Sequence, residues 1–188
     1  AAFGVVLATY FFVALLKKQS LRATALAGLA FGIAELMKFS TVLLIPFFIA
    51  LFFAWIISGA IPKRKLFFLG IRVLAVFVIG YIVVVYPVYT LFTARYPMER
   101  QIADTEYILA SFADGPTPEG EQCAIKRCPA ELTIWMSRHA LTRPIAQYGL
   151  GVLMVFQRAT GGNLSYFLGK VTNAGSRIYF PTVFALKE

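Results

Sequence analysis

The chain has 188 residues, 59% of them apolar, with 18 Lys and Arg against 9 acids and a formal net charge of +9. Its mean hydropathy of +0.73 exceeds the ordinary globular range, and its apolar residues come in runs long enough to cross a bilayer, so the rules for soluble domains do not apply. The charge does not indicate a nucleic-acid binder, because basic and aromatic residues do not interleave on a polar surface.

The charges are uneven. Residues 1–96 hold nine Lys/Arg and one acid, Glu35, whereas residues 97–188 hold nine Lys/Arg and eight acids. The basic excess of the first half falls at loop positions, which is a topological pattern. Residues 1–16 read as the end of a first membrane helix. The chain opens on Ala1 within an apolar run, with no basic region ahead of it, so it reads as an internal piece without a signal peptide.

Lys17, Lys18 and Arg22 precede a charge-poor stretch, and Lys63, Arg64 and Lys65 follow it. Clusters of this kind mark the cytoplasmic side. If both are cytoplasmic, residues 21–58 cross the membrane twice; at ~1.5 Å per residue they supply roughly two spans of a ~30 Å core. The turn of this hairpin is Glu35-Leu-Met-Lys38-Phe-Ser40, which places Lys38 at the opposite membrane face. Leu21 to Met37 is a Gly/Ala-rich helix suited to close packing. Thr41 to Ser58 returns, with Pro46 in its irregular first turns. Leu66 to Thr90 is the fourth helix, with Arg72 near its cytoplasmic end and Tyr81, Tyr86 and Tyr89 towards its outer end.

From Arg95 the chain turns polar. Residues 95–188 are expected to form an extracytoplasmic segment of short interfacial helices: an amphipathic one over Tyr96 to Phe112, a turn-rich loop over Asp114 to Gly120, a short helix over Ala130 to Ala140, and another opened by Pro144. Ile145 to Phe156 is apolar but too short for a span and reads as interfacial or re-entrant. The tail resembles a loop leading into a further, truncated membrane helix. The fold class expected is therefore all-α: about four transmembrane helices in 1–94, then the segment 95–188.

Cys123 and Cys128 are the two cysteines. A local disulfide fits an oxidising compartment; free thiols are the alternative. A metal site is the weakest reading, since two thiols and the distant His139 fall short of four zinc ligands.

The stretch Gly28-Leu-Ala-Phe-Gly-Ile-Ala-Glu-Leu-Met-Lys-Phe-Ser-Thr-Val-Leu-Leu-Ile-Pro46 resembles a segment of polytopic glycosyltransferases of the protein O-mannosyltransferase and aminoarabinose transferase type, the GT-C structural class. Glu35-Leu-Met-Lys38 stands where Leu-Thr-Lys is commoner. The tail, Tyr166-Phe-Leu-Gly-Lys170 followed by Tyr179-Phe-Pro-Thr-Val-Phe-Ala-Leu-Lys187, resembles a pattern of bacterial members in part. The resemblance implies a polyprenyl-phosphate sugar donor and an extracytoplasmic protein, lipid or glycan acceptor, in the bacterial inner (plasma) membrane. It also implies a catalytic acid in a loop ahead of Ala1, so no catalytic residue is named in this chain, and any divalent metal is left to that missing part.

Lys38 is the first candidate for the donor phosphate, as a point charge on a flexible stem at the membrane boundary. The competing account is snorkelling or pairing with Glu35 one turn away. Lys170, Arg177 and Tyr179 join it through the family-like tail, against simple interfacial anchoring. Further candidates are Glu35, an acid at membrane depth; His139, the only histidine; and Arg138, Arg143 and Arg158, which could clamp a phosphate or bind anionic headgroups. Asn163-Leu-Ser165 matches a glycosylation sequon. The expected function is a membrane glycosyltransferase. The alternatives are a transporter or permease fragment, which shares broken helices and mid-membrane charge, and a non-catalytic membrane subunit.

Overall fold

The apolar runs and the breaks between them fold into nine α-helices and one β-hairpin among the described residues. The structure is a computed structural model describing residues 1–59, 63–118, 121–161, 165–167, 169–172 and 178–187, without the side chains of 63, 64, 114, 160, 161, 165, 170, 172, 180 and 187. The class is all-α, as the composition and runs predict.

Helix α1 (Ala2–Lys18) and helix α2 (Leu21–Met37) lie side by side, joined by two residues. Gln19 takes a left-handed conformation (φ 47°) and its N–H donates to the Leu15 carbonyl, 2.8 Å away, closing α1. Ser20 caps α2 by accepting from the Ala23 N–H at 3.2 Å.

Lys38 interrupts the second run with an extended backbone (φ −164°, ψ 133°). A 3₁₀ turn, Phe39–Leu43, follows, and helix α3 (Leu44–Ile57) continues from it. Pro46 sits in the first turn of α3, where its missing N–H is tolerated. Thr41 Oγ1 donates to the carbonyls of Ala34, at 3.0 Å, and of Lys38. This hydroxyl satisfies carbonyls that the end of α2 leaves without helical partners.

Helix α4 (Lys63–Ile79) runs without a break through a π-helical turn, Gly80–Val85, into helix α5 (Tyr86–Ala94). Glycine makes this crossing possible. A Cβ at Gly28 would lie 2.7 Å from Ile79, and one at Gly32 would lie 2.6 Å from Val84. Ascending positions on α2 thus meet ascending positions on α4, so the two helices are parallel. Both begin beside the basic clusters, at one end of the bundle, and Lys38 lies at the other.

Phe12, Phe31 and Phe48 are wholly buried where α1, α2 and α3 meet, and Phe12 stacks on Phe48 at 4.1 Å between ring centroids. Among the described residues, two helical segments are long and apolar enough to cross a membrane: Phe39–Ile57, with mean hydropathy 2.5, and Lys65–Ala94, with 2.6. Only 17% and 28% of those windows are buried within the protein. Helices α1 and α2, at 17 residues each, fall at the short limit for a ~30 Å core.

The second half differs in detail from the sequence reading. Helix α6 (Met98–Leu109) lies within the expected amphipathic region Tyr96 to Phe112, and helix α7 (Cys128–Ser137) overlaps the short helix expected over Ala130 to Ala140 but starts two residues earlier. Helix α8 (Arg143–Gly161) has 19 residues, against the twelve or so expected, because its start also includes the residues around Pro144 and its end runs on through polar Gln157 and Arg158. The tail forms an antiparallel hairpin, β1 (Ser165–Phe167) with β2 (Lys170–Thr172), turning at Gly169 (φ 82°), and then helix α9 (Tyr179–Lys187). The hairpin is a correction to the expected irregular loop: Gly169 supplies the positive φ that a tight turn needs. The sequon's Asn163 and Leu164 fall outside the described residues.

Arg127 holds the second half together. It is 3% exposed. Its Nη1 donates to the Leu109 carbonyl and, at 2.8 Å, to that of Phe112; its Nε meets Glu131 Oε1 at 2.7 Å. Cys123 and Cys128 are joined by a disulfide beside it, their Cα atoms 5.1 Å apart.

Candidate functional site at the helix break

The extended residue at the end of α2 turns the backbone outward, so the Lys38 side chain is exposed. It makes no ion pair among the described residues; the ion pairs there are Arg100–Asp104, Arg127–Glu131 and Arg138–Glu106. Glu35 points elsewhere. It is 1% exposed and accepts a hydrogen bond from the Tyr148 hydroxyl on α8. Its other oxygen, Oε1, is buried with no hydrogen-bond partner. The pairing of Glu35 with Lys38, the competing account of the lysine, does not form: one faces inward and one outward.

Tyr148 gathers a cluster of rings. Tyr81 from the π turn lies 5.6 Å away between centroids, Tyr89 from α5 lies 5.7 Å away, and Phe39 from the 3₁₀ turn lies 6.0 Å away. The Tyr81 and Tyr148 hydroxyl oxygens are 3.5 Å apart. The extra residue of a π turn rotates the following side chains about the helix axis, and Tyr81 occupies that turn. Burial, with the hydrogen bond to Glu35 as a second cause, holds the Tyr148 phenol well above the ordinary tyrosine range, so it remains a neutral donor. Gly151 on α8 admits the Phe39 ring, which a Cβ would meet at 2.3 Å. The second half of the chain is therefore seated directly on the turn that carries Lys38.

Beside this contact lies an open cavity of about 500 Å³. Val42, Tyr81 and Ile82 line one side, and Leu132, Ile145 and Val152 are among the residues lining the other. Its walls are almost wholly apolar. An open apolar groove of this size accepts a hydrocarbon chain better than a polar ligand.

The other sequence candidates are dispersed. Arg143 is held by the fold: its Nη2 donates to the carbonyls of Thr93, at 3.3 Å, and Tyr96, at 2.6 Å, and its Nε to Gln101 Oε1 at 2.9 Å. Arg138 Nη2 pairs with Glu106 Oε1 at 2.7 Å. His139 stacks on Trp135, 4.4 Å between centroids, and its Nδ1 lies 2.9 Å from the Trp135 carbonyl. Arg158 is exposed in the last turn of α8. Tyr179 packs on Phe167 at 5.5 Å. Arg177 and the Lys170 side chain lie outside the described residues.

Tyr148 and Arg127 are what sequence reasoning missed. Tyr148 sits in an apolar run among residues read as an interfacial helix, and its partner lies 113 positions away. The one available signal was Glu35, an acid within an apolar run, which when buried requires a donor. Compared with protein-family models, curated proteins and solved structures, the chain matches none of them.

Proposed function

We propose that the chain is a membrane-embedded part of a glycosyltransferase that takes its sugar from a polyprenyl-phosphate donor. In this reading the protein is multi-pass, with α1, α2, α3 and the α4–α5 segment in the bilayer of a bacterial inner membrane. The Lys38 turn and residues 95–188 face the extracytoplasmic side. The largely unburied apolar faces of α3 and α4 support a lipid surround. The Cys123–Cys128 disulfide supports an oxidising compartment for the second half.

The observation that carries the reading is the placement of Lys38. It is an exposed cation with no ion pair among the described residues, at the helix break whose Val42 lines the apolar groove. A lipid phosphate requires that combination: hydrocarbon along the groove and a point charge at its head. The reaction would be a displacement at the anomeric carbon. The acceptor oxygen forms a bond to that carbon as the bond to the donor phosphate oxygen breaks. The acceptor proton passes to a carboxylate outside this chain, and Lys38 stabilises the charge growing on the leaving phosphate.

The test is transfer from a radiolabelled polyprenyl-phosphate sugar by the full-length protein in membranes. Replacing Lys38→Ala removes a charge-assisted hydrogen bond worth about 1.5–3 kcal/mol, which corresponds to a loss of roughly 10- to 100-fold in rate. Lys38→Arg should retain more activity than Lys38→Ala. Transfer unchanged in Lys38→Ala would reduce the residue to an interfacial anchor.

One observation favours a second reading. Glu35 is buried at a broken helix with an unpartnered oxygen, an arrangement that also serves ion-coupled transporters. No transfer with any of several sugar donors would shift the weight to that reading.

A further inference from the structure

A second cavity lies between α5 and α8, lined in part by Tyr89, whose ring meets Tyr148. It measures about 350 Å³ and is lined by Tyr89, Phe92, Thr93, Tyr96 and Gln147. Unlike the groove, it mixes rings with polar groups. Most of those groups are already committed. Thr93 Oγ1 donates to the Tyr89 carbonyl at 2.9 Å, the Tyr96 hydroxyl donates to Asp104, and Arg143 binds the Thr93 and Tyr96 carbonyls. The hydrogen bond to Asp104 also raises the Tyr96 phenol above its ordinary range, so it stays neutral. Gln147 differs: its Oε1 is buried and has no hydrogen-bond partner. A buried amide oxygen without a donor marks a place where a donor is missing.

We infer that this cavity binds one pyranose ring of a neutral sugar. The walls offer no uncommitted charge, which disfavours phosphate, carboxylate and ammonium ligands. The cavity lies at the lower end of the ligand-site range of roughly 300–1,000 Å³, which suits a single ring. Tyr89 and Phe92 both line the cavity, 6.1 Å apart between centroids, and supply aromatic surface for the C–H groups of such a ring, while Gln147 Oε1 accepts from one of its hydroxyls. Position supports the assignment: Gln147 of this cavity and Tyr148 of the apolar groove are consecutive residues of α8.

The inference deepens the glycosyltransferase reading by giving the sugar a pocket, but its test reads binding and not transfer. Methyl pyranosides of glucose, mannose, galactose and N-acetylglucosamine are titrated against the full-length protein in nanodiscs, with saturation-transfer NMR as the readout. At least one should bind with a dissociation constant on the order of 1 mM. Gln147→Leu should weaken it about tenfold through the lost hydrogen bond. Phe92→Ala changes a ring that is 72% exposed, so the fold does not depend on it, and it should weaken binding too. Absence of binding by all four glycosides, or equal affinity in both variants, would overturn the pocket whether or not transfer activity is found.

Discussion

Replacing Arg127→Met should unfold the segment around α6 and α7 while leaving the helical bundle of the first half in place. The guanidinium is 3% exposed and donates to two backbone carbonyls and to Glu131. Its removal leaves the Leu109 and Phe112 carbonyls without this donor and Glu131 without its cation. Glu131 is a third exposed and is rehydrated, but each buried carbonyl left without a donor costs about 1–3 kcal/mol, together a large share of the stability of a small domain. Limited proteolysis of purified protein should cut the variant between 98 and 142 under conditions that spare the wild type. The same contact sets a pH dependence. The hydrogen bond from Arg127 holds the Glu131 carboxyl below its usual range. Its stabilisation is therefore present above the unfolded carboxylate value and is lost as pH falls through the lower folded one. Wild-type resistance should decline in that acidic window, and Arg127→Met should lack that component of the decline.

The second large effect is expected in the bundle. A side chain at Gly80 would place Cβ 2.5 Å from the Phe31 ring, 3.1 Å from the Gly28 carbonyl oxygen and 3.2 Å from the Gly32 nitrogen. Two of those neighbours are backbone and cannot rotate away. Gly80→Val should therefore force α2 and the π turn apart, at a cost at or above the usual ~1–3 kcal/mol of overpacking. The fluorescence-detected melting temperature in detergent should fall by several degrees, and Tyr81 should lose its place against Tyr148. By contrast, Gly70→Ala, where the nearest atom to the new Cβ is the Phe52 ring at 4.0 Å, should melt like the wild type. Equal melting of Gly80→Val and wild type would show that the crossing is looser than the glycines imply.

The helix break was legible because its signals are local. Lys38 and Ser40 end an apolar run, Pro46 opens the next, and the basic clusters on either side fix the direction of travel. The close packing of α2 was likewise readable from Gly28 and Gly32, four positions apart on one helical face. What was not legible depends on distant partners. Glu35 and Lys38 looked like neighbours on one helix, but the chain becomes extended at Lys38, and the carboxyl finds Tyr148 instead. Arg143 looked like a free phosphate clamp because the sequence does not show that the carbonyls at the end of α5 come to lie beside it. Arg127 attracted no notice beside Cys128, because only the packing of α6 against α7 reveals that it is buried. The hairpin at 165–172 was missed because each strand has three residues, too few for alternation to register.

The central claim is that the Lys38 turn and the basic clusters lie on opposite membrane faces. Single-cysteine variants Lys18→Cys and Lys38→Cys test it in intact cells with a membrane-impermeant maleimide; both side chains are exposed, and the native cysteines are bonded to each other. The account predicts that Lys38→Cys is labelled from outside and that Lys18→Cys is labelled only after the membrane is permeabilised. Labelling of both from the same side, or of Lys38→Cys only after permeabilisation, would contradict it and remove the placement on which the proposed chemistry depends.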